Sequence, residues 1–284
     1  MGLKIEEEKL YLPSFIGGGV AGLTVDLVLF PLDTLKTRLQ AEHGFHRAGG
    51  FNGIYKGIGP QAIGSAPQAA LFFVTYETIK YYLEPSVPKY GVPAVHMVGA
   101  SIAEVMACLI RVPIEVVKQR RQTHPGNKSS MRIALSAYKH EGFRKGLYRG
   151  FGSTVLREIP FSAIQFSILE YLRSWFRKNF KNNIPLESYE VAVCGSIAGG
   201  IAAAVTTPLD VAKTRIMLAN RKQVRTGQVT IRNTLRNIYA SDGFKGLFAG
   251  FVPRVMWITI GGYIFFGSYD FSKNMCNALL TGEY

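Results

Sequence analysis

A short pattern, proline with an acid two residues on and a lysine three further, occurs three times in the 284-residue chain. The copies are Pro31, Asp33 and Lys36; Pro113, Glu115 and Lys118; and Pro208, Asp210 and Lys213. They lie 82 and 95 residues apart, and each closes a long apolar stretch. Repetition at this period means one structural unit used three times, which constrains the fold more than any single motif. Positions where the copies agree are expected to be mechanical. Positions where they differ are expected to recognise a ligand.

Each unit contains two apolar segments. The first ends at the proline motif, at roughly 13–39, 93–122 and 187–217; the second covers roughly 58–82, 151–178 and 251–278. All reach the about 20 residues that a helix needs to cross a hydrocarbon core of ~30 Å. The expected fold is therefore an all-α membrane protein with six transmembrane helices in three pseudo-symmetric two-helix repeats. A single domain over 1–284 is expected, with repeats at 11–85, 92–178 and 187–280. Pro31, Pro113 and Pro208 are expected to kink the first helix of each repeat, as proline removes a helical hydrogen bond. Gly18/Gly22 and Gly195/Gly199 have the spacing that lets membrane helices approach closely. Between the helices of repeats 2 and 3, 129–140 and 229–240 read as short amphipathic surface helices; repeat 1 has almost none.

Composition fits this picture. Hydrophobic residues make up 48% and charged ones 18%, and mean hydropathy is +0.11, as for membrane helices that each keep one wet face. The net charge of +14 would read as nucleic-acid binding in a soluble protein. Here the basic residues crowd the segments that follow each proline motif, an orientation signal that also attracts anionic lipid. The acidic N-terminus resembles neither a secretory signal nor a transit peptide.

The triple motif, continued by Arg38, Arg120 and Arg215, resembles the mitochondrial carrier family over about residues 11–278. The stretches 25–40, 104–120, 154–166 and 194–215 are most similar to the branch of that family that handles S-adenosyl compounds. The resemblance implies an inner-membrane monomer that alternates between cytoplasm-open and matrix-open states. It implies import of S-adenosylmethionine against S-adenosylhomocysteine, with cardiolipin or a similar anionic lipid as partner. No cofactor, metal or nucleic acid is expected, and no enzymatic activity.

In that frame Asp33, Glu115 and Asp210 are expected to meet Lys36, Lys118 and Lys213 of neighbouring helices in a ring that plugs the matrix side. Gln40 and Gln122 would brace the ring, and Met217 at the third place cannot. A second set, Glu77 and Lys80, Glu170 and Arg173, Asp270 and Lys273, matches the family's cytoplasmic gate. Tyr76 and Tyr269 would brace it, with Leu169 at the third place. Counting back from these acids gives the family's substrate contact points: Gly64 and Ser65, Arg157 and Glu158, Trp257 and Ile258. Counting back from the prolines places Asp26 and Glu104 within the spans, and Arg111 where the other copies have Leu29 and Thr206.

Intramembrane charges are costly and normally face a cavity or a partner. Asp26, Glu104, Glu158, Arg111 and Arg157 sum to −1, which complements S-adenosylmethionine at +1 and disfavours polyanions. Arg157 would clamp the substrate carboxylate. Asp26, Glu104 or Glu158 would face its sulfonium or amine, and Trp257 its adenine. Equally, Arg157–Glu158 and Arg111–Glu104 can simply satisfy one another. Gly17, Gly19 and Gly22 fit a dinucleotide fingerprint, but that signal requires a strand before it; a soluble nucleotide-binding enzyme is thereby disfavoured. Cys108, Cys194 and Cys276 form no disulfide or zinc pattern, and His96 has no apparent role.

Overall fold

A computed structural model describes residues 22, 24–88, 91–124, 126, 128–180, 186–219 and 229–264. The described residues are helical with short connections and contain no strand. In chain order the helices are α1 (24–40), α2 (Ile58–Leu83), α3 (Val92–Thr123), α4 (Ser130–Glu141), α5 (Phe151–Phe180), α6 (Ser188–Val205), α7 (Thr207–Leu218), α8 (Ile231–Leu247) and α9 (Phe251–Ile264). Two compact units result. One holds the described parts of 1–33, 161–205 and 251–284; the other holds the described parts of 34–160 and 206–250.

Among the described residues, Val95–Thr123 alone is long and apolar enough to span a membrane as one helix, with mean hydropathy 1.7. Two bent helix pairs raise the number to three. α2 and α5 have the length, at 26 and 30 residues, but α5 carries the charged residues Arg157, Glu158, Glu170 and Arg173. Ile63, Phe73, Leu156, Ile159 and Phe166 lie exposed on these two helices, as lipid-facing side chains would.

The prolines act unequally. Helix α3 runs unbroken through Pro113, and α1 through Pro31. The chain breaks only at Thr206, and Pro208 then sits in the first turn of α7, where no helical N–H is required of it. The expected kink is thus an outright break at one of the three sites.

In the larger unit α2 packs along α3, and Gly64 permits the approach: a Cβ there would stand 2.0 Å from Ile114 Cδ1. Cys108, Val112 and Val116, one face of α3 at i, i+4 spacing, bury themselves with Met217, and Phe151 and Val155 pack against them. The short helices share a design. Ser129 and Thr230 cap α4 and α8 by accepting from the N–H groups of Arg132 and Asn233, and Ile133 and Ile238 form their buried faces. In repeat 1, residues 41–57 form turns instead.

Each second helix is preceded by a glycine at positive φ: Gly57 at 98°, Gly150 at 84° and Gly250 at 71°. Besides its φ, each is pressed against a first helix. A Cβ would meet Lys118 O at 3.1 Å, Met217 Cγ at 2.9 Å and Lys36 O at 3.1 Å, respectively. Only glycine satisfies both demands.

In the smaller unit Gly199 and Gly200 of α6 face Ile258 and Thr259 of α9. Gly22 and Gly195, expected to pack in the same way, face open space, and the close approach has moved to Gly200. Gly17, Gly18 and Gly19 lie outside the described residues.

Candidate functional site

The acid and lysine of each motif stand three residues apart and so share one helix face. In the larger unit they pair between helices. Lys36 Nζ lies 2.8 Å from Asp210 Oδ2, and Lys213 Nζ lies 2.7 Å from Glu115 Oε1. Asp210 is 4% exposed and stands in the first turn of α7, where the helix dipole favours an acid. Gln40 donates to Asp210 Oδ2 at 2.9 Å and accepts from Thr214 Oγ1 at 2.6 Å. Gln119 donates to Glu115 at 3.0 Å, a contact that no repeat comparison pointed to. Lys118 donates to Gln61 at 3.2 Å, and Gln122 to Thr34 Oγ1 at 3.1 Å. Asp33 belongs to the other unit.

The second basic residue of each motif has a separate task. Arg120 forks onto both oxygens of Glu141, at 2.9 and 2.8 Å, and Arg215 reaches Asp242 at 2.6 Å. Repeat 1 has no such acid, so Arg38 donates to the carbonyls of Gly50, Gly53 and Gln122 instead. Arg149 also pairs with Glu141 and donates to Ala219 O. Burial, then the neighbouring Arg120, lowers its pKa to about 10, partly opposed by Glu141.

The charges of repeat 2 converge. Arg111 on α3 pairs with Glu104 on the same helix and, at 3.1 Å, with Glu158 Oε1 on α5. Arg157 also pairs with Glu158, and its Nε lies 3.8 Å from Asp210 Oδ1. Glu104, Arg111, Glu158 and Arg157 therefore form one chain of opposite charges that ends on the acid of the α7 motif. Its members satisfy one another, which was one of the two readings open from the sequence. Arg111, which counting back from the prolines located but did not place among the substrate contacts, is the hub. Its signal was that the other copies have no counterpart.

Other expected site residues are placed differently. Gly64 is a helix-packing position, filled by Ile114, and Ser65 donates to Ala62 O on its own helix. Asp26 on α1 and Trp257 on α9 are half-buried in the smaller unit. Glu77 pairs with Lys80 at 3.5 Å and Glu170 with Arg173 at 3.2 Å, each along its own exposed helix face. Tyr76 Oη lies 2.6 Å from His96 Nδ1, so His96 does have a role: it holds this tyrosine. Tyr269, Asp270 and Lys273 lie outside the described residues, as does Cys276.

Three helix pairs, each closing on a Pro-acid-Lys motif with interhelical ion pairs, define a class of protein. The sequence profile described as "Mitochondrial carrier protein" matches residues 7–86, 91–180 and 185–278. The chain belongs to the mitochondrial carrier family and is a multi-pass protein of the mitochondrial inner membrane. It is 55% identical over 273 residues to the S-adenosylmethionine mitochondrial carrier protein homolog of Drosophila melanogaster, covering 95% of each chain. It is 53% identical over 265 residues to the mitochondrial S-adenosylmethionine carrier protein of Danio rerio, covering 93% of this chain and 97% of that one. The protein of the same name in Mus musculus is 50% identical over 265 residues, covering 93% and 95%.

Proposed function

We propose that this carrier moves S-adenosylmethionine into the mitochondrial matrix in exchange for S-adenosylhomocysteine, by alternating access between a matrix gate and a cytoplasmic gate. The observation that carries this reading is the charge chain from Glu104 through Arg111, Glu158 and Arg157 to Asp210. It offers two carboxylates for a cationic substrate and one guanidinium, that of Arg157, within reach of both a site acid and a gate acid. Relatives with half or more of their residues in common carry S-adenosylmethionine in their names.

Gating follows from the same contacts. Lys36–Asp210 and Lys213–Glu115 tie first helices together, while Glu77 and Glu170 pair along their own helices. These contacts support a carrier closed toward the matrix. Substrate binds with its cationic groups toward Glu104 and Glu158 and its carboxylate toward Arg157. As Arg157 turns to the carboxylate, Asp210 loses a neighbouring cation and the matrix network weakens. Binding energy spent in this way shifts the conformational population.

The carrier works as a monomer. Anionic lipid such as cardiolipin sits in the cavity of about 590 Å³ lined by Lys56, Gly57, Arg121 and Ser130. There two basic side chains and the starts of α2 and α4 favour phosphate.

The test is uptake of radiolabelled compounds by purified protein in liposomes, using S-adenosyl compounds, nucleotides and amino acids. S-adenosylmethionine uptake that depends on internal S-adenosylhomocysteine is expected. Preference for a polyanion would refute the reading.

A further inference from the structure

Arg111 occupies a place where the other repeats carry Leu29 and Thr206. Its Nη1 donates to both Glu104 and Glu158. With its amide oxygen turned toward the guanidinium, Gln68 accepts from Nη2 at 2.8 Å and from Nε at 2.9 Å. Helices α2, α3 and α5 thus meet on one cation. A guanidinium with its donors committed in this way is poorly placed to clamp a substrate carboxylate. What it does is hold together two acids that would otherwise repel each other.

The Arg111 side chain is still 29% exposed and that of Glu104 25%, so the pair faces open space within the span rather than sealed core. A cation arriving there meets two carboxylates already assembled and already neutralised. It binds by taking over the place of the existing cation.

We propose that Arg111 is a specificity-determining counter-cation, which in the empty carrier occupies the place between Glu104 and Glu158 that the cationic end of the substrate takes. This rests on the S-adenosyl reading above and deepens it. A sulfonium makes no hydrogen bond and competes through charge alone, so the contest with Arg111 selects between S-adenosylmethionine and its uncharged thioether product. Arg111 raises the cost of binding the cation and eases its release. The thioether, one charge poorer, is less affected.

Uptake kinetics of Arg111→Gln for both compounds test this. Removing the competitor should lower KM for S-adenosylmethionine about tenfold, a difference of ~1.4 kcal/mol, while KM for S-adenosylhomocysteine falls less than about threefold. The cationic substrate should also turn over more slowly. Arg111→Lys keeps the charge, and so remains informative where the Gln variant does not fold. One ammonium covers one carboxylate at a time, so its KM for S-adenosylmethionine should fall in the same direction by about two- to threefold. An unchanged ratio of the two KM values in whichever variants fold, or a rise in KM for S-adenosylmethionine, would overturn the proposal. Wild-type protein that takes up neither compound would instead refute the substrate reading on which it rests.

Discussion

Replacing Asp210 with Asn is the sharpest perturbation of the proposed matrix gate. The side chain keeps its size, so no cavity opens, but its charge is lost. Asp210 Oδ2 holds Lys36 at 2.8 Å and Gln40 at 2.9 Å, and Arg157 stands 3.8 Å from Oδ1. Breaking a buried pair by removing one partner costs about 3–5 kcal/mol, because the other charge is left uncompensated. The Lys36 side chain is 20% exposed and water recovers part of that cost, leaving about 2–3 kcal/mol. Such a loss changes a conformational population about 30- to 150-fold and lowers the melting temperature by about 4–12 °C at this chain length. The assay is thermal unfolding in detergent alongside exchange in proteoliposomes. Exchange should fall more steeply than the fraction folded at the assay temperature, since the gate is spent on switching as well as on stability. Lys36→Gln should cost a similar amount, and the double variant less than the two together, because both lesions remove one interaction. Independent costs that simply add, or an Asp210→Asn carrier that melts and exchanges like wild type, would refute the reasoning.

Three further outcomes follow from individual contacts. Gly64→Val should destabilise the carrier by about 1–3 kcal/mol through overpacking; Gly64→Ala combined with Ile114→Val should restore both melting temperature and uptake, which a substrate-contacting role for Gly64 would not allow. Glu141→Gln leaves Arg120 and Arg149 sharing one neutral acceptor and should lower the melting temperature by about 4–12 °C with KM unchanged, as measured by scanning fluorimetry and uptake. His124 is held below its ordinary pKa, first by burial and then by Lys128 and Arg121, while Nδ1 accepts from the N–H of Gly126 at 2.9 Å. A lowered histidine contributes stability that is full above the unfolded pKa of about 6.5 and is lost as pH falls through the folded value. His124→Gln should therefore flatten the loss of thermal stability between about pH 7 and pH 5.

The mechanical half of the molecule was legible because it is written three times. Proline, acid and lysine at fixed spacing could be aligned without coordinates, and Lys36–Asp210 and Lys213–Glu115 form between helices as the repeat required. Alignment failed where space rather than chemistry decides. Counting places Gly64 beside Arg157 and Trp257 as an equivalent position, yet a neighbouring Ile114 fills the room in front of it. Repeat 1 likewise lacks the acid that Arg120 and Arg215 use, and a run of turns supplies carbonyls to Arg38 in its place. Compensation between different chemical groups leaves no trace in a residue-by-residue comparison.

The same contacts bear on how a charged cargo can cross at all. Glu104, Arg111, Glu158 and Arg157 are neutral as a set and bonded to one another. An unpaired acid waiting in a low-dielectric span would cost several kcal/mol in the empty carrier and would bind a cation so tightly that release became slow. A prepaid set exchanges partners instead. Each cation that arrives frees a guanidinium, and each carboxylate that arrives finds one, so loaded and empty carriers stay close in energy. A cycle that must pass through both states repeatedly needs that flatness. It explains why four of the five charges that break the three-fold pattern, two acids and two arginines, come within a single repeat.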